Sequence, residues 1–100
     1  MSLKEEIQTA IDSGAKVLVD FYQDGCPPCK ALAAQLDKVM ENNPDIIVIK
    51  VNANDKAEGT ALAIERNIRS APTVFLYKEA ELIKQHVGVL PYSKIVDIFE

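Results

Sequence analysis

Apolar residues follow two kinds of spacing along this chain, and the switches between them mark its elements. Leu3, Ile7, Ala10 and Ile11 recur at helical intervals, and Ser2 with Glu5 three residues later makes a capping box. The pattern predicts a first helix running to about Ser13 and ended by Gly14. Residues 16–22 are rich in valine and aromatics and read as a buried strand. Helical spacing then returns, with Leu32, Leu36, Val39 and Met40 on one face of a helix predicted to reach about Asn42. Pro27 and Pro28 fit its first turn, which has no internal use for their missing N–H groups. Pro44 breaks the chain before residues 46–51, a continuous β-branched run typical of an interior parallel strand.

A third helix is predicted over roughly residues 56–67, with Ala57, Ala61, Leu62, Ile64 and Ile68 as its apolar positions. Residues 73–77 and 82–87 are separated by Lys78-Glu79-Ala80-Glu81 and read as a hairpin. A closing helix over residues 91–99 turns Ile95, Val96 and Phe99 toward the sheet. The order αβαβαββα implies a central mixed sheet with helices on both faces. Right-handed crossovers predict the strand order 46–51, 16–22, 73–77, 82–87, the first three parallel and the last antiparallel.

Composition narrows the possibilities. A chain of 100 residues, 48% of them hydrophobic, supports one core and a single domain over residues 1–100. The net charge of −4 comes without a basic cluster, the longest run of like charge being Glu5-Glu6. Neither nucleic acid nor an anionic membrane surface is therefore an expected partner. No apolar stretch approaches the roughly 20 residues that span a bilayer. The acidic start lacks the apolar centre of a secretory signal, and the expected location is the cytoplasm.

Two cysteines make a poor disulfide scaffold, and in a reducing compartment a close pair points to catalysis or metal binding. Cys26 and Cys29 stand where the strand-like run gives way to the helix-like one, which places both sulfurs in the first turn of a helix. Unpaired N–H groups and the positive end of the helix dipole favour a thiolate there. A thiolate three residues from a second thiol can attack a partner's disulfide and be released by its neighbour. Zinc would want four ligands, and this chain adds only His86, which reads as an ordinary edge-strand histidine. A zinc or cluster shared by two chains stays open.

Asp20 interrupts Val17-Leu18-Val19 and Phe21 in a strand that should be buried, where a carboxylate is costly unless paired or protonated. It is either a strand-end residue facing water or a group with a chemical task. Lys50 reads by itself as a solvated strand-end lysine, Pro72 as a loop proline and Gly88 as a turn or bulge glycine.

Residues 17–30, Lys50-Val51-Asn52, Ala71-Pro72-Thr73 and Val87-Gly88, in that order across most of the chain, resemble the thioredoxin family. The resemblance implies an α/β thioredoxin-like fold with a four-stranded mixed sheet, the usual first strand missing because too few residues precede the first helix. It implies Cys26 as the exposed attacking thiolate, Cys29 as the buried resolving thiol, and Asp20 as the proton acceptor for Cys29 with Lys50 tuning its pKa. Pro72 would be a cis-proline, and Gly25, Ala71, Pro72 and Gly88 would border a groove for an extended substrate.

The implied activity is reduction of protein disulfides, with no bound cofactor beyond the redox-active Cys26–Cys29 disulfide and a place in electron transport and cell redox homeostasis. Expected partners are disulfide-containing proteins and, as electron donor, a thioredoxin-reductase-like enzyme or a small thiol. A monomer is expected. Gly25-Cys26-Pro27-Pro28-Cys29 departs from the family's usual Trp-Cys-Gly-Pro-Cys, and Tyr22 replaces another tryptophan, so the groove should be barer. Two other functions are compatible with the fold. A glutaredoxin-like glutathione enzyme is disfavoured because Pro27-Pro28 is not Pro-Tyr and no double glycine follows the last strand. A non-catalytic interaction module would bind through the same groove.

Overall fold

A computed structural model describes residues 1–100. The elements are α1 (Leu3–Asp12), β1 (Lys16–Tyr22), α2 (Pro27–Asn42), β2 (Ile46–Asn52), α3 (Gly59–Glu65), β3 (Thr73–Lys78), β4 (Glu81–Val87) and α4 (Tyr92–Phe99). Local chemistry explains several boundaries. The Ser2 side chain accepts from the N–H of Glu5 while the Glu5 carboxylate accepts from the N–H of Ser2, completing the capping box that opens α1. The hairpin turns on Glu79 and Ala80, both at positive φ (54° and 65°), the backbone of a two-residue turn that matches strand twist.

The four strands lie in the order β2-β1-β3-β4, as the sequence predicts. β1 and β2 are parallel, with Asp20 beside Lys50. β3 runs antiparallel to β1, pairing Thr73 with Phe21, and this corrects the expected parallel orientation. The reason lies in α3, which spans only seven residues and leaves residues 56–58 in turns rather than in the longer helix expected. Seven helical residues rise about 10 Å, less than half the roughly 23 Å of a seven-residue strand. The chain is therefore not carried back to the start of β1 and re-enters the sheet at the end of β1, beside the cysteine loop.

Strand alternation divides the core in two. Val17, Val19 and Phe21 point to the face covered by α1 and α3, meeting Ile7, Ile11, Leu62 and Phe75. Leu18 points to the opposite face and packs with Leu32, Leu36 and Val39 of α2 and Ile95 and Phe99 of α4. Met40, expected on the buried face of α2, is 43% exposed, and Ile64 of α3 is 72% exposed. β2 is an edge strand, as the predicted order requires, so its β-branched run is not that of an interior strand and Ile47 faces solvent. Gly59 starts α3 against the end of β2, where an added Cβ would sit 1.8 Å from the carbonyl oxygen of Asn52.

Candidate active site

Cys26 is the N-cap residue of α2, Pro27 and Pro28 fill the first helical positions, and Cys29 follows in the same turn. The cysteines form a disulfide with Cα atoms 5.2 Å apart. Capping turns the first sulfur outward and the helix pulls the second inward, so Cys26 is half-buried and Cys29 buried. The N–H of Cys29 donates to Cys26 Sγ at 3.3 Å. Neither proline has an N–H to offer, so this donor and the helix dipole supply the local positive potential.

The antiparallel entry of β3 completes one side of the site. Ala71 and Pro72 are joined by a cis peptide bond, and the carbonyl oxygen of Ala71 lies 3.8 Å from Cys26 Sγ. Gly88, at φ 102°, donates its N–H to the carbonyl of Pro72 at 2.8 Å. Ala71, Pro72 and Gly88 thus form a continuous backbone ridge beside the outer sulfur.

The other side is a pocket of about 340 Å³ whose walls include Asp20, Tyr22, Gly25, Cys29, Lys30 and Lys50. Alternation in β1 explains Asp20, because the face that carries Leu18 and packs against α2 must also carry residue 20. The residue is 1% exposed, and its Oδ1 has no hydrogen-bond partner. Burial pushes its carboxyl up to about 6, while the charge of the neighbouring Lys50 pulls the other way. The strand-end, water-facing placement of Asp20 does not hold. Lys50 remains exposed at the pocket rim.

Three residues in this region have structural tasks that sequence reasoning did not assign. Asn54 Oδ1 accepts from the N–H of Asp24 at 2.8 Å, Asn52 Nδ2 donates to Asp24 Oδ1 at 3.2 Å, and Asn52 Oδ1 accepts from the N–H of Asn54 at 2.8 Å. The clamp fastens the loop before Cys26 to the end of β2. A signal existed, since the parallel register that sets Asp20 beside Lys50 also sets Tyr22 beside Asn52. Apart from this region, His86 lies on edge strand β4 with Nε2 3.3 Å from the carbonyl of Val89. No group of three or more His, Cys, Asp or Glu residues is arranged to hold a metal ion, and no helix is long and apolar enough to cross a membrane.

A disulfide at the start of a helix, half turned to solvent, beside a ridge of main-chain groups and above a buried carboxylate, defines a protein of thiol-disulfide exchange. The family model described as Thioredoxin matches residues 2–100. The chain is 32% identical over 98 residues to a thioredoxin of Mycoplasma genitalium, covering 98% of this chain and 92% of that one. It is 28% identical over 97 residues to a thioredoxin of Mycoplasmoides gallisepticum, covering 97% and 94%. The oxidised mitochondrial thioredoxin 3 of Saccharomyces cerevisiae superposes with a TM-score of 0.79 at 28% identity, over 95% of this chain and 87% of that one. The chain belongs to the thioredoxin family. Its function is thiol-disulfide oxidoreduction, and its activity is that of a protein-disulfide reductase.

Proposed function

We propose that the chain reduces protein disulfides through Cys26 as nucleophile and Cys29 as resolving thiol, with Asp20 as proton acceptor and Lys50 as the charge that tunes it. The reading rests above all on the contrast within the pair, one sulfur half-exposed and its partner buried in a pocket shared with Asp20. The Cys26 thiolate attacks one sulfur of the substrate disulfide, forming a mixed disulfide and expelling the other sulfur as a thiolate. Asp20 takes the proton of Cys29, whose thiolate attacks Cys26 Sγ, releases the substrate's remaining sulfur and closes the Cys26–Cys29 disulfide. The substrate's sulfurs leave as thiolates that take protons from solvent, and Asp20 gives up the proton it took, so the cysteine pair has lost two electrons. A thioredoxin-reductase-like enzyme or a small thiol returns them.

Gly25, Ala71, Pro72 and Gly88 border the groove for the substrate chain. Positive φ at Gly25 and Gly88 and the absence of large side chains along the ridge support close main-chain approach. The protein acts as a monomer without a bound cofactor, contributing to electron transport and redox homeostasis, with the cytoplasm as its proposed location. Insulin reduction driven by dithiothreitol tests the activity, with turbidity rising faster with the parent protein than with Cys26→Ser. Equal rates would remove the catalytic reading in favour of a binding module.

A further inference from the structure

The outer strand of the hairpin has features that the cysteine chemistry does not use. β4 is an open edge of the sheet. Leu82, Ile83, Val87 and Val89 make up half of the chain's eight exposed large apolar side chains. Pairing sets Lys84 opposite Leu76 and His86 opposite Val74, two residues of the core beneath α2 and α4. Lys84 and His86 therefore lie on the helix-covered face, at the margin α4 leaves open. With Lys94 and Ile98 of α4 and the turn through Val89 and Pro91 they line a groove of about 490 Å³.

No carboxylate lines this groove, although the chain carries a net charge of −4. Neither Lys84 nor Lys94 takes part in an ion pair, the two pairs present being Lys4–Glu65 and Lys16–Asp45. Unpaired main-chain groups and exposed apolar side chains thus run along one strand, and the uncompensated positive charge of Lys84 and Lys94 lines the groove beside it.

We propose that β4 and this groove dock an extended acidic segment of a partner protein, which adds to the sheet edge and sets its carboxylates against Lys84 and Lys94. Strand addition gives such a segment main-chain hydrogen bonds, and side-chain pockets choose its sequence. The irregularity opposite Leu76 and Tyr77 leaves Ile83 without a pairing partner, so residues 84–87 are the straight stretch available. A second copy of this chain is a poor occupant, because antiparallel self-pairing along this edge with the groove faces together sets two copies of the same positively charged groove side by side on one face of the doubled sheet. A glutamate in the same place makes the lysine attractive. Gly88 follows the strand directly and bonds to Pro72, so a docked segment leads toward the cysteine pair. Any delivery of the segment to the cysteines rests on the reductase reading, whereas the docking does not.

The probe is a blocked, cysteine-free six-residue peptide alternating valine and glutamate, titrated into isotope-labelled protein, with a valine–lysine peptide as control. Amide shifts should move along residues 84–98 with the acidic peptide only. The double variant Lys84→Glu, Lys94→Glu should weaken that binding about fivefold and favour the lysine peptide, since two exposed ion pairs are reversed. Lys84→Gln with Lys94→Gln should fall between. Reduction of a small aromatic disulfide should be unchanged in both variants, so its loss in the parent would count against the reductase reading alone. No shifts at millimolar peptide, shifts elsewhere, equal binding by the charge-reversed variant, or self-association of the protein through β4 would overturn the proposal.

Discussion

Asp20 concentrates the conflict between stability and chemistry in one side chain. Its folded carboxyl holds a proton up to about pH 6, whereas an unfolded aspartate releases it near pH 3.9. The native state therefore carries the extra proton between those values, and stability falls as pH rises through the window, the full cost being present above it. Replacing Asp20 with asparagine removes the charge but keeps the shape. Relative to the parent, Asp20→Asn should gain about 2 to 3 kcal/mol between pH 4 and pH 7.5 in urea unfolding. The same variant should release a substrate from its Cys26 mixed disulfide about a hundredfold more slowly at pH 7, the low end of the roughly 10²- to 10⁴-fold contribution of a general base, as followed by rapid mixing. Pro27 offers a test in the opposite sense. Restoring an N–H beside the nucleophile with Pro27→Gly adds a possible donor to the thiolate, which the N–H of Cys29 now serves. The Cys26 pKa should fall by about one unit or less, read from thiolate absorbance against pH.

At the level of elements, Gly59 is where two pieces of structure compete for space. With the Asn52 carbonyl so close to the missing Cβ, Gly59→Ala must push α3 away from the end of β2. The expected cost is about 2 kcal/mol or more in urea unfolding with an unchanged slope, and faster alkylation of reduced Cys26 as the Asn52–Asp24 clamp loosens. Elements defined by local chemistry were legible in the sequence: the capping box of α1, the proline-opened α2 and the hairpin. The length of α3 was not, because Ile64 keeps the helical period yet faces water. Nor was the direction of β3, which depends on how far the preceding helix climbs and leaves no trace in the spacing of apolar residues. Within the site, Cys26, Cys29 and Asp20 stood out because their residue types conflict with or punctuate their surroundings. Asn52 and Asn54 did not, since amides in a polar turn look alike whether they clamp a loop or face water.

Across the whole molecule, one sheet separates two small cores, and each needs its own pair of helices. Phe99, 1% exposed near the end of the chain, closes the core shared by α2 and α4. Phe99→Ala should cost about 3 to 5 kcal/mol in guanidinium unfolding, a large share of the roughly 5 to 15 kcal/mol that holds an ordinary domain together. The cysteine pocket takes no wall from α4, so thiol exchange per folded molecule should persist in the cold.

The contact between Cys26 and Ala71 joins residues 45 positions apart in the chain. Proteins leave the ribosome N-terminus first, at about 5 to 20 residues per second. Both thiols are thus born seconds before the ridge that, in the proposed mechanism, borders the substrate groove. If that ridge selects substrates as proposed, the order of synthesis itself sets when this protein can tell one disulfide from another.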